Sequence, residues 1–102
     1  MNILWSRKAR LGIRQLHAHI ATDSPINADR FIKRILDAVK VVANSPCIGK
    51  VLPGANNERI RERIVQSQRV IYAIDDEQQI INILTLVHVC QDLQRMKRKP
   101  WE

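Results

Sequence analysis

The sequence contains few cysteines, and their spacing disfavours the common uses of this residue. Cys47 and Cys90 are the two cysteines among 102 residues, whereas a small secreted domain held by disulfides carries more of them at denser spacing. A zinc site would need histidines at ligand spacing, but His17 and His19 fall on one predicted helix and point in different directions. We therefore predict that both cysteines are small buried apolar residues, and we expect no metal and no cofactor.

Long apolar runs are also missing. No segment approaches the ~20 consecutive apolar residues that a membrane-spanning helix needs. The N-terminal segment MNILWSRKAR turns polar and basic after a short apolar start, which is unlike a secretory signal. We therefore expect a cytoplasmic protein that makes no membrane contact. A chain of 102 residues suits one core, so we expect a single domain over residues 1–102.

Acidic residues are outnumbered by basic ones. There are 17 lysines and arginines against 10 aspartates and glutamates, which gives a net charge of +7. This balance favours an anionic partner, which is a nucleic acid, an enzyme that acts on nucleic acid, or an acidic protein segment. Charge alone does not choose among these partners, and it fits a solubilising surface equally well. The apolar content of 45% indicates a globular chain.

The first half of the sequence predicts a strand and two helices. Residues 2–5 are short, apolar and aromatic, which suits a strand, and Ser6 can cap a helix over residues 7–22. Ser24 then caps a second helix over residues 25–44, which Pro25 begins. Both helices carry an apolar stripe and a short joint connects them, so they form an antiparallel hairpin. The stripes are Ala9, Ile13, Leu16 and Ile20, and Ala28, Phe31, Ile32, Ile35, Val39 and Val42.

The second half predicts a loop followed by strands. Residues 45–57 contain two prolines, two glycines and two asparagines, which indicates a loop. Three strands follow, joined by polar turns, over residues 59–65, 69–74 and 80–89. The last strand is apolar on both faces, which predicts a central position in the sheet. The whole order predicts an α+β fold: an N-terminal strand, an antiparallel helical hairpin, a three-stranded antiparallel β-meander and a short basic C-terminal tail.

Six short motifs resemble the ParE branch of the RelE/ParE toxin superfamily, whose members share this length and order of elements. No single motif is specific, but the six motifs in this order and at this spacing are specific. The motifs are WSRKA at 5–9, the Ser24-Pro25 helix start with Ala28, Phe31 and IKRI at 32–35, SPCIGKVLP at 45–53, IRE at 60–62, QRVIY at 68–72 and ILTLVH at 83–88. The resemblance implies the toxin of a type II toxin–antitoxin system, held inactive by an antitoxin. ParE-like members poison DNA gyrase, and RelE-like members cleave mRNA on the ribosome.

The resemblance leaves two activities open. RNA cleavage without a metal needs cations and an acid–base group, which Arg61, Arg63, Arg69 and His88 would supply. The tyrosine that the nuclease branch carries near its C-terminus has no counterpart, and Gln91 stands where an arginine is often found. The same residues also fit structural roles, with Arg69 paired to Glu62 across a hairpin and His88 half-buried at a strand end. We therefore expect gyrase inhibition, with ribosome-dependent mRNA cleavage as the alternative and a non-toxic binding module as a second alternative.

Two surfaces are candidates for partner binding. In the tail, a basic cluster with a terminal aromatic residue is the candidate gyrase surface, unless the tail is merely frayed and solubilising. On the helical hairpin, apolar residues off the core stripes and flanked by arginines are the candidate surface for the antitoxin, expected to be a small acidic ParD-like DNA-binding protein. The tail residues are Arg95, Lys97, Arg98, Lys99 and Trp101, and the hairpin residues are Arg10, Leu11, Arg14, Ala18, Ile26 and Arg34.

Overall fold

A mixed five-stranded sheet with two helices on one face organises the chain. The computed structural model describes residues 1–102, and it confirms the predicted α+β fold. The elements are β1 (Asn2–Trp5), α1 (Arg7–Ala21), α2 (Pro25–Asn44), β2 (Lys50–Val51), β3 (Ile60–Val65), β4 (Gln68–Asp75) and β5 (Ile80–His88), with 3₁₀ turns at Pro46–Ile48 and Leu93–Arg95. The strand order in the sheet is β1-β5-β4-β3-β2. Strand β1 runs parallel to β5, and the other neighbouring strands are antiparallel.

The two predicted helix caps are confirmed. The Ser24 hydroxyl accepts a hydrogen bond from the Asn27 N–H at 3.2 Å, and the Ser6 hydroxyl accepts one from the Ala9 N–H at 2.9 Å. The Ser6 hydroxyl also donates to the Leu84 carbonyl at 2.7 Å. One side chain therefore satisfies a free N–H at the start of α1 and ties that helix to strand β5.

The helices bury one face of the sheet. The predicted apolar stripes of α1 and α2 pack on Val70 and Tyr72 of β4 and on Ile81 and Ile83 of β5. The helices also pack on each other, and His17 Nε2 of α1 lies 2.8 Å from Asp29 Oδ1 of α2. Each fully buried Ile or Val contributes roughly 1.5–3 kcal/mol to stability relative to an exposed one, so this layer is the main core.

A second, smaller core covers the opposite face of the sheet. Ile71 of β4 and Val87 of β5 pack there against Leu52 and Leu93, with Met96 and Trp101 of the tail at the margin. The tail is therefore folded against the sheet. This cover explains why β5 is apolar on both of its faces, as the sequence predicts for a central strand.

Two details differ from the sequence expectations. The predicted loop 45–57 contains the two-residue strand β2, which pairs with β3, so the antiparallel part of the sheet has four strands. The prediction of buried cysteines is wrong, since Cys47 and Cys90 are both exposed. Cys47 lies in the 3₁₀ turn and Cys90 lies in the turn after β5, where no layer covers them. Neither helix combines the length and the apolar character that crossing a membrane demands.

Two glycines give opposite predictions when each is changed to alanine. In Gly49→Ala, the new Cβ would meet the Tyr72 hydroxyl and lie 2.6 Å from the Glu62 carbonyl oxygen, so we expect a loss of roughly 1–3 kcal/mol in the free energy of unfolding. Gly12 lies within α1 with no atom within 4 Å of an added Cβ, so Gly12→Ala should gain about 0.5–1 kcal/mol. Urea denaturation measures both. Equal effects at the two positions would contradict the close approach at Gly49.

Candidate interaction sites

The surface of α1 carries positive charge that nothing in the chain neutralises. The helix sequence RKARLGIRQLHAHIA has several arginines and no acidic residue. Arg7, Arg10 and Arg14 are exposed, and none of them takes part in an ion pair within the chain. Because these arginines have no ion-pair partner within the chain, this side of the helix suits an acidic partner.

Arg10 and Arg14 border an open apolar cleft between β1 and the two helices. The cleft has a volume of about 280 Å³, and Trp5, Ile13 and Leu36 complete its lining. The same two arginines border a neighbouring cleft together with Arg7 and Leu11. The structure therefore brings together three of the residues predicted for antitoxin binding, namely Arg10, Leu11 and Arg14.

The other predicted hairpin residues are exposed but lie apart from this cleft. Ile26 is 65% exposed, and Ala18 is also exposed. Arg34 borders a separate cleft with Ile20, Arg30 and Phe31. Sequence reasoning missed Trp5 and Leu36 as lining residues. The signal for Leu36 was present, since it is an apolar residue off the core stripe of α2, whereas Trp5 resembled an ordinary strand residue.

The sheet divides the predicted nuclease residues between its two faces. Arg61 is paired with Tyr72 and Arg63 with Val70, so both arginines lie on the face that carries the helices. Arg69 is paired with Val87 and lies on the opposite face. It belongs with Glu62, whose carboxylate Oε2 accepts from Arg69 Nε at 2.7 Å.

The Arg69–Glu62 ion pair that the sequence offered as a structural role is present, and it is largely buried. The side chains are 17% and 8% exposed, respectively. Removing one partner of such a pair leaves an uncompensated buried charge, which costs a few kcal/mol. Arg69 therefore has a structural task that keeps its guanidinium away from Arg61 and Arg63.

Tyr72 and Arg61 hold the segment that leads into β2. The buried Tyr72 hydroxyl donates to the Pro46 carbonyl at 2.7 Å and accepts from the Gly49 N–H at 3.1 Å. Arg61 Nη1 donates to the Gly49 carbonyl at 2.9 Å, while its Nε is buried without a partner. Burial raises the pKa of Tyr72 above its ordinary value of 10.0, and the Gly49 N–H and the Arg61 charge oppose this effect. Tyr72 is therefore a core residue.

His88 lies at the exposed end of β5. Its Nδ1 accepts a hydrogen bond from the Cys90 N–H at 3.1 Å, which leaves Nε2 free. Its strand partner is Gln68, at the start of β4. No hydrogen bond joins His88 to Arg61 or Arg63 in this structure. The half-buried position that was the alternative for His88 is wrong, since the residue is exposed.

The C-terminal tail presents exposed cations on the face opposite the helices. Arg95, Lys97 and Arg98 are exposed, whereas Trp101 is partly buried against the second core. Lys99 Nζ donates to the carbonyls of Gln94 at 2.6 Å and Met96 at 2.8 Å, which holds the tail in a turn. The tail is therefore an ordered basic surface, in which Trp101 serves packing, Arg95 pairs with Asp92, and Lys97 and Arg98 remain available.

A helical hairpin over one face of a meander and a basic tail over the other define a small α+β protein of the RelE/ParE-like fold. The model of the family described as ParE toxin of type II toxin–antitoxin system, parDE, matches residues 3–93. The chain therefore belongs to the ParE toxin family. No curated protein matches the sequence.

Solved structures give the same fold. The chromosomal ParDE system of Pseudomonas aeruginosa is similar with a TM-score of 0.70 and 19% identity, over 86% of this chain and 95% of that one. A RelBE complex of Mycobacterium tuberculosis is similar with a TM-score of 0.63 and 20% identity, over 85% and 95%. The Escherichia coli RelBE complex gives 0.62 and 18%, over 85% and 94%. At these identities the likeness establishes the fold alone.

The buried hydroxyl of Tyr72 predicts a loss of stability at high pH. A tyrosine whose folded-state pKa is raised favours folding below its unfolded pKa of about 10, and this contribution is lost as the pH rises above that value, because the unfolded chain then releases the proton more readily. Tyr72 is the single tyrosine, so tyrosinate absorbance reports it alone.

The variant Tyr72→Phe tests this prediction, because it removes both hydrogen bonds of the hydroxyl. We expect it to lose about 1–3 kcal/mol at neutral pH, and to show a smaller fall of stability above about pH 10 than the parent protein. Urea denaturation across this range measures both effects. A tyrosinate titration at the same pH in the folded and the urea-unfolded protein would contradict the proposed burial effect.

Proposed function

We propose that this ParE-family toxin inhibits DNA gyrase and thereby blocks replication, and that a cognate ParD-like acidic antitoxin neutralises it by binding the helical hairpin. The observation that carries the proposal is membership of the ParE family together with two separate basic surfaces. One surface borders an apolar cleft on the helices, and the other covers the far face of the sheet through the tail.

The hairpin surface suits a segment that folds on binding. An amphipathic segment of the antitoxin can insert an apolar side chain between Trp5, Ile13 and Leu36, and its carboxylates can then pair with Arg10 and Arg14 at the rim. Burying the apolar side chain supplies affinity, whereas the rim charges favour fast and selective association. The similar ParDE and RelBE structures are of a toxin–antitoxin system and a toxin–antitoxin complex, which supports a protein partner of this kind.

Charge reversal tests the antitoxin surface. The double variant Arg10→Glu/Arg14→Glu should bind the cognate antitoxin roughly 10- to 100-fold more weakly, which is about 1.4–2.8 kcal/mol. The control is Lys8→Glu/Lys40→Glu, which changes net charge equally at exposed helix positions that line no cleft. Titration calorimetry measures the affinities. Equal weakening in both double variants would show that only net charge matters, and it would contradict a specific cleft.

The tail is the candidate surface for gyrase. Lys97 and Arg98 are exposed, lie next to each other in sequence, and take part in no ion pair. The packing of Leu93, Met96 and Trp101 holds this segment on the sheet, so its cations are presented from a fixed position. Gyrase carries bound DNA, and fixed cations suit either its phosphates or an acidic protein surface.

A supercoiling assay tests the gyrase target. The purified protein should inhibit gyrase supercoiling and trap cleaved DNA, and Lys97→Ala/Arg98→Ala should require roughly tenfold more protein for the same effect. The control Lys8→Ala/Lys40→Ala removes the same charge from the helices and should retain inhibition. Gyrase that stays active over a wide range of toxin concentrations would contradict the proposal.

Ribosome-dependent mRNA cleavage is the second candidate function. It is favoured by the position of Arg63 and His88, both exposed, on the face of the sheet that carries the helices. Codon-linked cuts in mRNA after induction, abolished by Arg63→Ala or His88→Ala, would support this activity and replace the gyrase proposal. Unimpaired growth without antitoxin would instead indicate a binding module that has lost toxicity.

A further inference from the structure

The C-terminal tail covers only half of its face of the sheet. The tail packs over Ile71 of β4. Because side chains on one face recur at every second residue of a strand, that face continues along β4 through Ala73 to Asp75. Ala73 is aligned with Asn82 of β5, and Asn82 is aligned with Leu4 of β1. These residues lie outside the second core, and we call the region of Leu4, Ala73, Ile80 and Asn82 the open half.

The open half is uncharged, whereas charges of opposite sign flank its two ends. Leu4 is 57% exposed, and the other three side chains are half-buried. Asp75 and Glu77 lie at one end, where β4 turns into β5, and the tail with Lys97 and Arg98 lies at the other end. None of these four charged residues takes part in an ion pair within the chain. This face therefore carries available charges of both signs, separated by largely apolar surface.

The tail gives this face of the sheet the shape of a step. Packed layers lie about 10 Å apart, so the tail stands about one layer above the open half. Along β4, Ile71 under the tail and Asp75 beside the turn each lie about 7 Å from Ala73. A rotation of half a turn about an axis through the middle of the open half therefore exchanges the raised part with the recessed part. It also exchanges the basic end with the acidic end.

We infer that the open half is a self-association surface, on which two copies of the chain pack face to face around a twofold axis. The tail of each copy covers the open half of the other, and the cations of the tail pair with Asp75 and Glu77. Such an interface uses the same patch on both copies, which is the usual geometry of a homodimer. Asn82 lies near the axis, and its amide carries both donors and an acceptor, so it can pair with the same amide. The inference goes beyond the proposed function and does not depend on it.

The charges on this face select a second copy over other occupants. A nucleic acid or an anionic membrane would pair with Lys97 and Arg98, but Asp75 and Glu77 would repel it. An acidic peptide meets the same repulsion, and a basic peptide is repelled by the tail. A second copy supplies the opposite charge at both ends and an apolar patch in the middle. Elsewhere on the surface, two copies with a net charge of +7 each repel one another.

Sedimentation equilibrium of the full chain tests the inference. The parent protein should form a dimer as its concentration rises from micromolar to millimolar. Leu4→Glu places a carboxylate in the apolar middle of the patch and should raise the dissociation constant of the dimer about tenfold or more. The matched control is Leu11→Glu, because Leu11 is similarly exposed, at 52%, but lies on α1. This control changes the net charge equally and should stay within about twofold of the parent. Urea denaturation checks that both variants are folded.

A charge exchange tests how the two copies are arranged. Glu77→Lys and Lys97→Glu should each weaken the dimer about tenfold, since each sets like charges against one another. The double variant Glu77→Lys/Lys97→Glu has the net charge of the parent and should restore the affinity to within about threefold. Added salt should weaken the parent dimer, because these charge pairs lie near the surface.

Each other outcome overturns the inference. A chain that remains monomeric at millimolar concentration has no self-association surface. Equal weakening by Leu4→Glu and Leu11→Glu, or no weakening by Leu4→Glu, places the contact elsewhere, and a charge exchange without recovery excludes the twofold packing of tail on turn. A monomer that binds a single-stranded oligonucleotide or anionic vesicles, in a way that Leu4→Glu abolishes, assigns the face to that ligand. Because the mass is measured without gyrase or antitoxin, a failure here leaves the proposed function unaffected.

Discussion

One extra residue in strand β5 determines which of its side chains enter each of the two cores. Thr85 is paired with Ile71 and Ile83 with Tyr72, so Leu84 has no partner in β4 and forms a bulge. Side chains alternate strictly along a regular strand, and an extra residue reverses the alternation beyond it. Ile83 therefore faces the helices, whereas Val87 faces the tail. The Ser6 hydroxyl, which caps α1, binds the Leu84 carbonyl at this bulge and so fixes the helix over the strand.

The two layers that cover the sheet determine which charges remain available. Few basic residues are buried in the two cores. Arg69 is the one arginine that is largely buried in an ion pair. The arginines of α1 and the basic residues of the tail lie on the outer sides of the two covering layers. Their positive charge is thus divided between opposite faces of one sheet, with Lys50 and Arg63 at the edge between them. Net charge alone gave no indication of this division.

Features determined by neighbouring residues were predictable from sequence, and features determined by distant contacts were not. The caps at Ser6 and Ser24 and the extent of α2 follow from local hydrogen bonding and from Pro25, so the prediction matched the structure. The exposure of Leu11 and Ile26 followed from helical periodicity. The bulge at Leu84 has no glycine or other turn residue to mark it, because the segment around it has the composition of an ordinary buried strand.

The candidate site shows the same difference between features set by neighbouring residues and features set by distant contacts. The rim of the hairpin cleft, Arg10 and Arg14, could be predicted from its position off the core stripe, but its floor combines Trp5 from a strand with Leu36 from the second helix. Only the packing of β1 beside both helices brings these two together. Likewise, alternation along β3 is enough to place Glu62 on the opposite face from Arg61 and Arg63, but the separation of Arg69 from those arginines depends on the register of β4. The folded tail was missed because its order depends on the second core.

The separation of the two basic faces constrains how an antitoxin could silence a toxin of this shape. If the hairpin binds the antitoxin and the tail contacts the target, a partner confined to the hairpin leaves the tail exposed. The shortest extent of the molecule is 21 Å, and an extended chain advances about 3.3 Å per residue, so crossing it takes about six or seven residues. A neutralising segment long enough to continue past an edge of the sheet could therefore reach both faces. A shorter one would have to act through the sheet, which the rigid packing of β4 and β5 between two cores disfavours. The length of the bound antitoxin segment, more than its affinity for the cleft, then decides whether binding also inhibits the toxin.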